Sequence, residues 1–460
     1  MKIILRILTP LLMVLVFPLY SLTLEQSIEL AKQNNKALLA AKEDVIIADQ
    51  SYYEVRGLLL PQLNLQGAYQ LSKTWMPEST QLDKVDFSTY LDDNATSNDS
   101  ILAGICSKLT NSMIPNKTVK EGSLAGQLKL DQIIFSGGKL TNGLHAIGRY
   151  RSIQKLRYKL KEQDLIATTT DMFYQTLLAQ KVQEIQQEAL DIAIRHLNRV
   201  ELLNQEGQVS EFDLLRARLE VAKLRPDVVQ AQNNYDLALS AFKKQIGYAD
   251  SVIILEGEFL LPQTCEETLQ EALSLAEKQR IELQLSSINT EIMKINYQAE
   301  KGNYLPNIAL TAGYSLFTAA DEYAIERDDF GTAFNVGIGF SIPLFTGLAN
   351  TAKRNHAKHT YTQARINETD MQEMIALQVK QAWQQLQSAL ENYNVQVENT
   401  KLAERSLQLA QVRYESQVGI QLEVFDAQIS LNSVKLAYYN SIYNVISSNQ
   451  QLKKAMGYNL

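Results

Sequence analysis

This chain of 460 residues contains few cysteines and has no excess of basic residues. Its two cysteines, Cys106 and Cys265, lie far apart and form no motif, so they are too few for a disulfide-stabilised scaffold. The 44 lysines and arginines are outnumbered by 51 aspartates and glutamates, which leaves a formal net charge of −7. Proteins that bind nucleic acid usually present a basic face, so this composition predicts no nucleic-acid partner.

The common catalytic motifs are missing as well. Neither Gly-x-Ser-x-Gly nor His-Glu-x-x-His occurs in the chain. The pair Gly138-Lys139 lacks the upstream glycine and the following Ser or Thr of a phosphate-binding loop. His356 and His359 lie three residues apart on a helix, but no nearby cysteine or carboxylate completes a metal site. The sequence therefore predicts no enzymatic activity, no cofactor and no metal site.

Long apolar runs are absent beyond the N-terminus. Residues 7–20 are almost entirely apolar, follow Lys2 and Arg6, and precede the small residue Ser21. This pattern predicts a secretory signal peptide over residues 1–21, because the run is short for a membrane helix and two prolines interrupt it. No later stretch is apolar enough for a membrane helix, although the strands of a membrane barrel would leave a weaker signal.

The remaining chain contains two copies of one pattern. The matching positions are the segments 24–31 and 269–276, Pro61 and Pro306, Gly137 and Gly347, and Gly247 and Gly457. The first two matches are offset by 245 residues and the last two by 210, so one insertion of 35 residues before Gly137 explains both offsets. Two constant offsets indicate an internal duplication.

Each copy is predicted to contain a helix, a strand, a loop, a strand, a long helix, a turn and a helix. The first repeat is predicted over 22–248, with strands at about 61–72 and 123–135 and long helices over 138–206 and 211–246. An irregular linker follows over 249–268. The second repeat is predicted over 269–460, with strands at about 306–318 and 333–345 and long helices over 346–417 and 421–456. A helix over 24–58 opens the first repeat.

The longest helices have the pattern of a coiled coil. One register of alternating four- and three-residue steps runs from Ile375 to Tyr414, and only Gln396 and Thr400 interrupt its apolar character. Such a register predicts a partner helix along its whole length. At 1.5 Å per residue, the two longest helices would each extend for roughly 100 Å, about three bilayer thicknesses.

The four strands have one apolar face and one polar or small face. Leu63, Leu65, Tyr69 and Leu71 alternate with polar residues in the first of them. A half-buried sheet of a soluble protein has the same alternation, but these helices are too long to cover such a sheet. Membrane barrels have apolar outer faces and at least about eight strands. Four strands per chain therefore predict a barrel that several chains share.

Two segments rich in acidic and small polar residues, 72–122 and 319–330, separate the strands of each repeat. We predict that both are solvated loops outside the cell. Cys106 would then lie in an extracellular loop and Cys265 in the linker, on opposite sides of the membrane. The two thiols are therefore not expected to form a disulfide within one chain.

Taken together, these features resemble the TolC-like outer-membrane efflux protein family over essentially all of 22–460. The motifs that carry the resemblance are Leu-Pro before strands at 60–61 and 305–306, Phe-Ser-Gly-Gly at 135–138, Phe-Thr-Gly at 345–347, Glu-Val-Phe-Asp-Ala-Gln at 423–428 and Gly-Tyr at 457–458. The resemblance implies an α+β membrane protein and a homotrimer. Its three chains share a twelve-stranded β-barrel in outer-membrane lipid, continued by a long α-helical barrel across the periplasm.

The resemblance also implies a function and partners. The channel would work with a periplasmic adaptor (membrane fusion) protein and an inner-membrane pump, in efflux or in type I secretion. The strand-to-helix junctions are the predicted hinges, at Gly137, Gly138 and Gly347, together with Pro61 and Pro306.

The family resemblance places a periplasmic gate just after the second helix hairpin. Tyr414, Glu423 and Asp426 are the residues it implies there, and Asp213 and Arg216 are their counterparts in the first repeat. Glu423 and Asp426 share a helix face, so three copies would surround the axis with six carboxylates. The alternative is that these are ordinary solvated residues of a helix surface.

One position departs from the family pattern, because Gln417 stands where the family has a glycine and Gly419 lies two residues later. A rival hypothesis for the whole chain is an exported structural or adhesive coiled-coil protein without channel activity. That protein would share the heptads and the export signal, but it would need neither four alternating strands nor two glycine junctions.

Overall fold

A computed structural model describes residues 20–75, 83–92, 95–114, 118–248, 253–257, 259–320, 326–416 and 418–458. The described chain divides into two compact units. The sheet unit comprises the described residues of 52–146 and 295–358, and the helical unit those of 1–51, 147–294 and 359–460. No helix among the described residues is long and apolar enough to cross a membrane.

The first repeat begins with a short strand and two consecutive helices. In chain order its elements are β1 (Tyr20–Leu22), α1 (Leu24–Asn34), α2 (Lys36–Gly57), β2 (Gln62–Trp75), α3 (Ser97–Ser112), β3 (Thr118–Ser136), α4 (Lys139–Gln205) and α5 (Glu211–Ile246). The helix predicted over 24–58 is thus two helices, because Asn35 has an extended backbone and interrupts the hydrogen-bond ladder.

The second repeat has the same order of elements, except that its described residues contain no equivalent of α3. They are β4 (Ile253–Leu255), α6 (Leu269–Gln279), α7 (Ile281–Lys301), β5 (Asn307–Ala320), β6 (Phe330–Ser341), α8 (Ala349–Glu415) and α9 (Gln421–Met456). α4 and α8 each contain 67 residues, α5 and α9 each contain 36, and β2 and β5 each contain 14. These equal lengths, at the two offsets found in the sequence, confirm the duplication.

The sheet of the sheet unit has the strand order β2-β3-β5-β6, and each neighbouring pair is antiparallel. Gln62 pairs with Asp131 in the first repeat, and Asn307 pairs with Ser341 in the second. These two pairs are equivalent under the offsets of 245 and 210, so both hairpins have one register. The apolar side chains of the edge strands are exposed, as Leu65 (80%) illustrates on β2 and Phe340 (76%) on β6.

The helical unit contains two large buried apolar clusters, each centred on the last helix of one repeat, and a smaller third cluster that contains Leu190 and Val221. The first is built around Phe173, Phe242 and Ile246, and the second contains Leu452 and Met456. Phe242 and Ile246 of α5 are equivalent to Leu452 and Met456 of α9, and all four are essentially inaccessible. The last helix of each repeat therefore supplies the centre of its cluster.

Short polar contacts hold the last helix of each repeat against the break between its first two helices. The Asn35 side-chain amide donates to the Gln245 carbonyl at 3.2 Å. At the equivalent position, the Arg280 guanidinium donates to the Lys454 carbonyl at 2.9 Å. Both breaks are thus fixed in the same way by residues of different chemistry.

Three regions differ from the sequence-based expectation. The segment 72–122, expected to be an irregular loop, contains the 16-residue helix α3, which begins with a capping box at Thr96 and Asp99. The linker 249–268, expected to be irregular, contributes β4, which pairs in parallel with β1. β6 spans Phe330–Ser341 rather than 333–345.

β1 overlaps the end of the predicted signal peptide 1–21, whose other residues lie outside the described chain, so its cleavage point stays a prediction. Cys106 and Cys265 are both free thiols.

Candidate functional site

The first helix hairpin, between α4 and α5, is closed by a left-handed glycine and a capping box. Gly207 has φ 73°, and the Gln208 N–H donates to the Leu203 carbonyl at 2.8 Å. Ser210 Oγ donates to Asp213 Oδ2 at 2.6 Å, and the Asp213 N–H donates back to Ser210 Oγ at 3.2 Å. Asp213, a predicted gate residue, therefore caps the first turn of its own helix.

The second hairpin, between α8 and α9, closes differently. The N–H groups of Val418 and Gly419 both donate to the Arg413 carbonyl at 3.0 Å. Ile420 occupies the N-cap of α9 and makes no side-chain cap hydrogen bond. Gln417 itself lies outside the described residues, so the expectation about its effect on the turn is untested.

An ion pair crosses this second turn. The Arg413 guanidinium lies 3.4 Å from Glu423 Oε1, with both side chains partly exposed. A Cβ atom on Gly419 would come within 3.0 Å of both Arg413 Cβ and Glu423 Oε2, so glycine leaves room for the pair. Sequence reasoning missed Arg413, because its ten-residue separation from Glu423 has meaning only once the turn is known.

The other predicted gate residues are likewise divided between the first and the second helix hairpin. Tyr414 lies half-buried at the end of α8, and Asp426 is exposed one turn beyond Glu423. Arg216 is half-buried on α5, at the position equivalent to Asp426. The structure thus places Tyr414, Glu423 and Asp426 on the second hairpin, whereas Asp213 and Arg216 belong to the first.

A contact that the sequence did not indicate joins the two hairpins. His196 of α4 packs edge-on against Phe425 of α9, with ring centroids 4.8 Å apart, and its Nε2 contacts the Gln421 side-chain amide. Burial, and secondarily the charge of Arg199, lower the pKa of His196 from its ordinary value. A lowered pKa favours the neutral ring, which packs against an aromatic edge without a charge that needs solvation.

Beside this contact is a cavity of about 170 Å³. Its wall includes apolar side chains of α4, α5 and α9, such as Ile192, Leu224 and Val424, and its polar lining includes Glu220.

The strand-to-helix junctions contain the predicted hinge glycines. Gly137, Gly138 and Gly347 have φ values of 64°, 79° and 60°. Leu348, the counterpart of Gly138, has φ 66° and is the one non-glycine residue in the described chain with a left-handed backbone. Both junctions therefore turn through two consecutive left-handed residues, as their glycines predicted.

The predicted prolines mark the opposite junctions, from helix to strand. Pro61 directly precedes β2, and Pro306 directly precedes β5. Just before them, the Leu60 N–H donates to the Gly57 carbonyl and the Leu305 N–H to the Gly302 carbonyl, each at 3.0 Å. The two helix-to-strand turns thus share one hydrogen bond. That these residues act as hinges stays a prediction.

Several known proteins are similar to this chain in sequence and in architecture. The sequence model of the family described as "Outer membrane efflux protein" matches residues 27–248 and 272–458. The chain is 22% identical to the outer membrane protein TolC of Escherichia coli K12 over 446 residues, which cover 94% of this chain and 82% of that protein. It is 27% identical to the outer membrane efflux protein BepC of Brucella suis biovar 1 over 346 residues, which cover 72% of this chain and 71% of BepC.

Among solved structures, that of the channel protein CusC superposes with a TM-score of 0.74 at 20% identity, covering 95% of this chain and 92% of CusC. The two family matches correspond to the two repeats, and together they span most of the chain. The protein therefore belongs to the outer membrane efflux protein family and resides in the outer membrane.

Proposed function

We propose that three copies of this chain form a passive outer-membrane channel that serves an efflux or type I secretion system. The observation that carries the proposal is the sheet, whose edge strands β2 and β6 expose apolar side chains and continue into helices of the described chain. Unpaired strand edges are costly in lipid, so four strands of one chain need the strands of further copies to close a barrel.

The partners follow from the passive character of such a channel. A conduit without a catalytic site has no energy source, so an inner-membrane pump must drive transport and a periplasmic adaptor protein must connect the two. The substrate, whether drug, metal ion or polypeptide, is then selected by the pump. Outer-membrane lipid covers the apolar face of the barrel.

The second helix hairpin is the proposed gate. Three copies would bring Glu423 and Asp426 around a narrow axis, with Tyr414 beside them. In each copy, the Arg413 guanidinium offsets the negative charge of Glu423. The net negative charge at the gate is therefore smaller than that of six free carboxylates. Exposed Asp426 then carries most of the uncompensated charge, which would make the channel prefer cations and be blocked by multivalent cations.

Two measurements test the channel. Purified protein in a planar bilayer should conduct ions, whereas an adhesive or structural protein would not. Native mass measurement in mild detergent should give three chains. A stable monomer without conductance would overturn the proposal in favour of the exported structural protein.

A further inference from the structure

The cavity beside His196 lies among helices of both repeats. Its wall is formed by α4 and α5 of the first repeat and by α8 and α9 of the second, through residues such as Ala193, Leu224, Gln411 and Phe425. Its volume of about 170 Å³ is close to that of an engineered protein cavity of roughly 150 Å³ that binds benzene. A single six-membered aromatic ring therefore matches the space between these helices.

Most of the wall of this cavity is apolar. Ile192 of α4, Leu224 of α5 and Val424 of α9 contribute aliphatic side chains, and Phe425 contributes an aromatic ring. His196 packs against Phe425, and its lowered pKa favours the neutral imidazole. An aromatic ring that enters the cavity would therefore leave water for an apolar and aromatic surface, which favours binding.

Glu220 carries the only negative charge in the described lining of the cavity. It is half-buried on α5, and within the described chain no residue forms a hydrogen bond or an ion pair with its carboxylate. Arg216 and Lys223 lie one helical turn away on either side, but neither pairs with it. The other polar residues of the lining include the neutral amides Gln421 and Gln428. The cavity thus combines a space for one ring with an unpaired carboxylate, which a cation would stabilise.

We propose that this cavity binds a small aromatic amine, with its ring among Ile192, Leu224 and Phe425 and its ammonium group paired with Glu220. The ring accounts for the volume and the apolar wall, and the ammonium group accounts for the unpaired carboxylate. Benzylamine is a simple member of this class and is the probe for the experiments. The inference goes beyond the proposed function, because a channel needs no ligand site between its helices.

Isothermal titration calorimetry of the full-length protein in detergent tests the site with three probes. Benzylamine has both the ring and the charge, benzyl alcohol has the ring alone, and butylamine has the charge alone. Benzylamine should bind most tightly, benzyl alcohol more weakly, and butylamine without saturation. Absence of benzylamine binding would overturn the site, and equal binding of butylamine would reduce it to ion pairing at a surface.

Substitution of the carboxylate tests the ammonium contact. Glu220→Gln should weaken benzylamine binding by about tenfold, as expected for the loss of a hydrogen bond to a charged group, and should change benzyl alcohol binding by less than about twofold. Glu211→Gln is the matched control, because Glu211 is exposed on the same helix and is not part of the cavity lining. If Glu220→Gln binds benzylamine as tightly as Glu211→Gln does, the ammonium contact is wrong.

Filling the cavity tests where the ring lies. Ala193 lines the cavity and is buried, so the larger side chain of Ala193→Leu would occupy the space of the ring. This variant should lose binding of both aromatic probes, and its titration also measures their uptake by detergent micelles. Ala189→Leu, one turn earlier on the same wall, is a second filling variant if Ala193→Leu lowers the helix content seen by circular dichroism. Unchanged binding in a folded, filled variant would place the ligand elsewhere.

Bilayer recordings separate the ligand site from the proposed function. A ligand that contacts helices of both hairpins should hold the proposed gate closed, and this consequence rests on the proposed function. Benzylamine should therefore lower the conductance of the unmodified protein more than that of Glu220→Gln, whereas butylamine should act equally on both. Equal effects of benzylamine on both proteins would refute control of the gate by this site. If the unmodified chain does not conduct, the channel proposal fails, and calorimetry still decides whether the ligand site exists.

Discussion

Asp213 and Glu423 occupy the same position, the third residue of α5 and of α9, but they bind different partners. Asp213 accepts hydrogen bonds from Ser210 at its own helix N-terminus, whereas Glu423 pairs with Arg413 across the turn. The difference follows from the N-cap residue, because Ile420 has no hydroxyl to offer Glu423. The second hairpin therefore places a carboxylate and a guanidinium at its end.

This relationship predicts opposite effects of two charge changes on ion selectivity. Arg413→Ala would leave Glu423 uncompensated and should raise the cation preference of the channel. Asp426→Asn removes an exposed carboxylate and should lower it. Two unit charges at close range interact by about 1 kcal/mol in water. Each substitution should therefore change the ratio of cation to anion permeability by roughly two- to fivefold.

Reversal potentials in a salt gradient across a planar bilayer measure this ratio. The double change Glu423→Ala with Asp426→Ala should abolish both cation selectivity and multivalent-cation block. If both properties survive it, the constriction is formed elsewhere. Asp213→Asn is a matched control, because Asp213 lies on the first hairpin, which is not the proposed gate, and its loss should change selectivity little.

The missing cap of α9 predicts a stabilising substitution. Ile420→Ser would place a hydroxyl three residues before Glu423 and complete the Ser-x-x-Glu capping box. An N-cap of this kind stabilises a helix by about 1 kcal/mol. Hydrogen exchange of the first-turn amides of α9 should therefore slow about fivefold.

The reverse change, Ser210→Ala in the first hairpin, should accelerate exchange at the start of α5 by a similar factor. Unchanged exchange in both variants would mean that the hairpin ends are held by tertiary contacts rather than by their caps.

The sequence predicted the repeats and the long helices well, because both depend on local periodicity. α5 and α9 begin and end at the predicted residues, and the strand-to-helix turns coincide with their glycines. The break at Asn35 was missed, because it depends on a contact with the distant Gln245 carbonyl. Helix α3 was not predicted, because a composition rich in Ser, Asn and Asp is typical of loops.

The candidate site was predictable only in part. Glu423 and Asp426 were predicted from their spacing and from the family resemblance. Neither the spacing nor the resemblance indicates which neighbouring residues offset their charge. The contact between His196 and Phe425 joins residues more than two hundred positions apart, and no local pattern marks it. Tertiary contacts of this kind decide the electrostatics of the hairpin ends.

That contact makes the stability of the hairpins depend on pH. Burial lowers the pKa of His196 from 6.5, so the folded state disfavours the protonated ring more than the unfolded state does. The stabilisation is complete above about pH 6.5 and is lost as the pH falls through the lowered pKa of the folded state. The positive charge of Arg199 also opposes protonation of the ring.

Thermal unfolding followed by circular dichroism at pH 7.5 and pH 5.5 measures this effect. The unmodified protein should lose more stability on acidification than His196→Gln, which keeps a polar side chain but cannot titrate. Equal losses in the two proteins would show that other groups, and not His196, govern acid sensitivity.

Gly247 and Gly457, which end the last helix of each repeat, are packed more tightly than Gly207 of the first hairpin. This difference predicts how alanine substitutions at these positions affect stability. Gly457 has φ 81°, and a Cβ there would lie 2.8 Å from the Gln279 carbonyl carbon and 2.9 Å from the Arg280 nitrogen. Gly207 has a similar φ of 73° but open space around the same position. Alanine at Gly207 should therefore cost only the backbone strain, about 1 kcal/mol. Alanine at Gly457 adds an overlap with backbone that cannot move aside, for a total of about 2 kcal/mol or more.

Gly247→Ala belongs with the second case, because its Cβ would lie 2.6 Å from Asn34 Cβ. When thermal unfolding midpoints are measured at one scan rate, the unmodified protein should have the highest midpoint and Gly207→Ala the next highest. Gly247→Ala and Gly457→Ala should have the lowest midpoints. The physical reason is that both closing glycines lie against the break between the first two helices of their repeat, whereas a Cβ on the hairpin glycine would meet open space. Equal midpoints for Gly207→Ala and Gly457→Ala would mean that the closing turns can shift to admit a methyl group, and that the Gly-Tyr motif at each repeat end reflects backbone conformation alone.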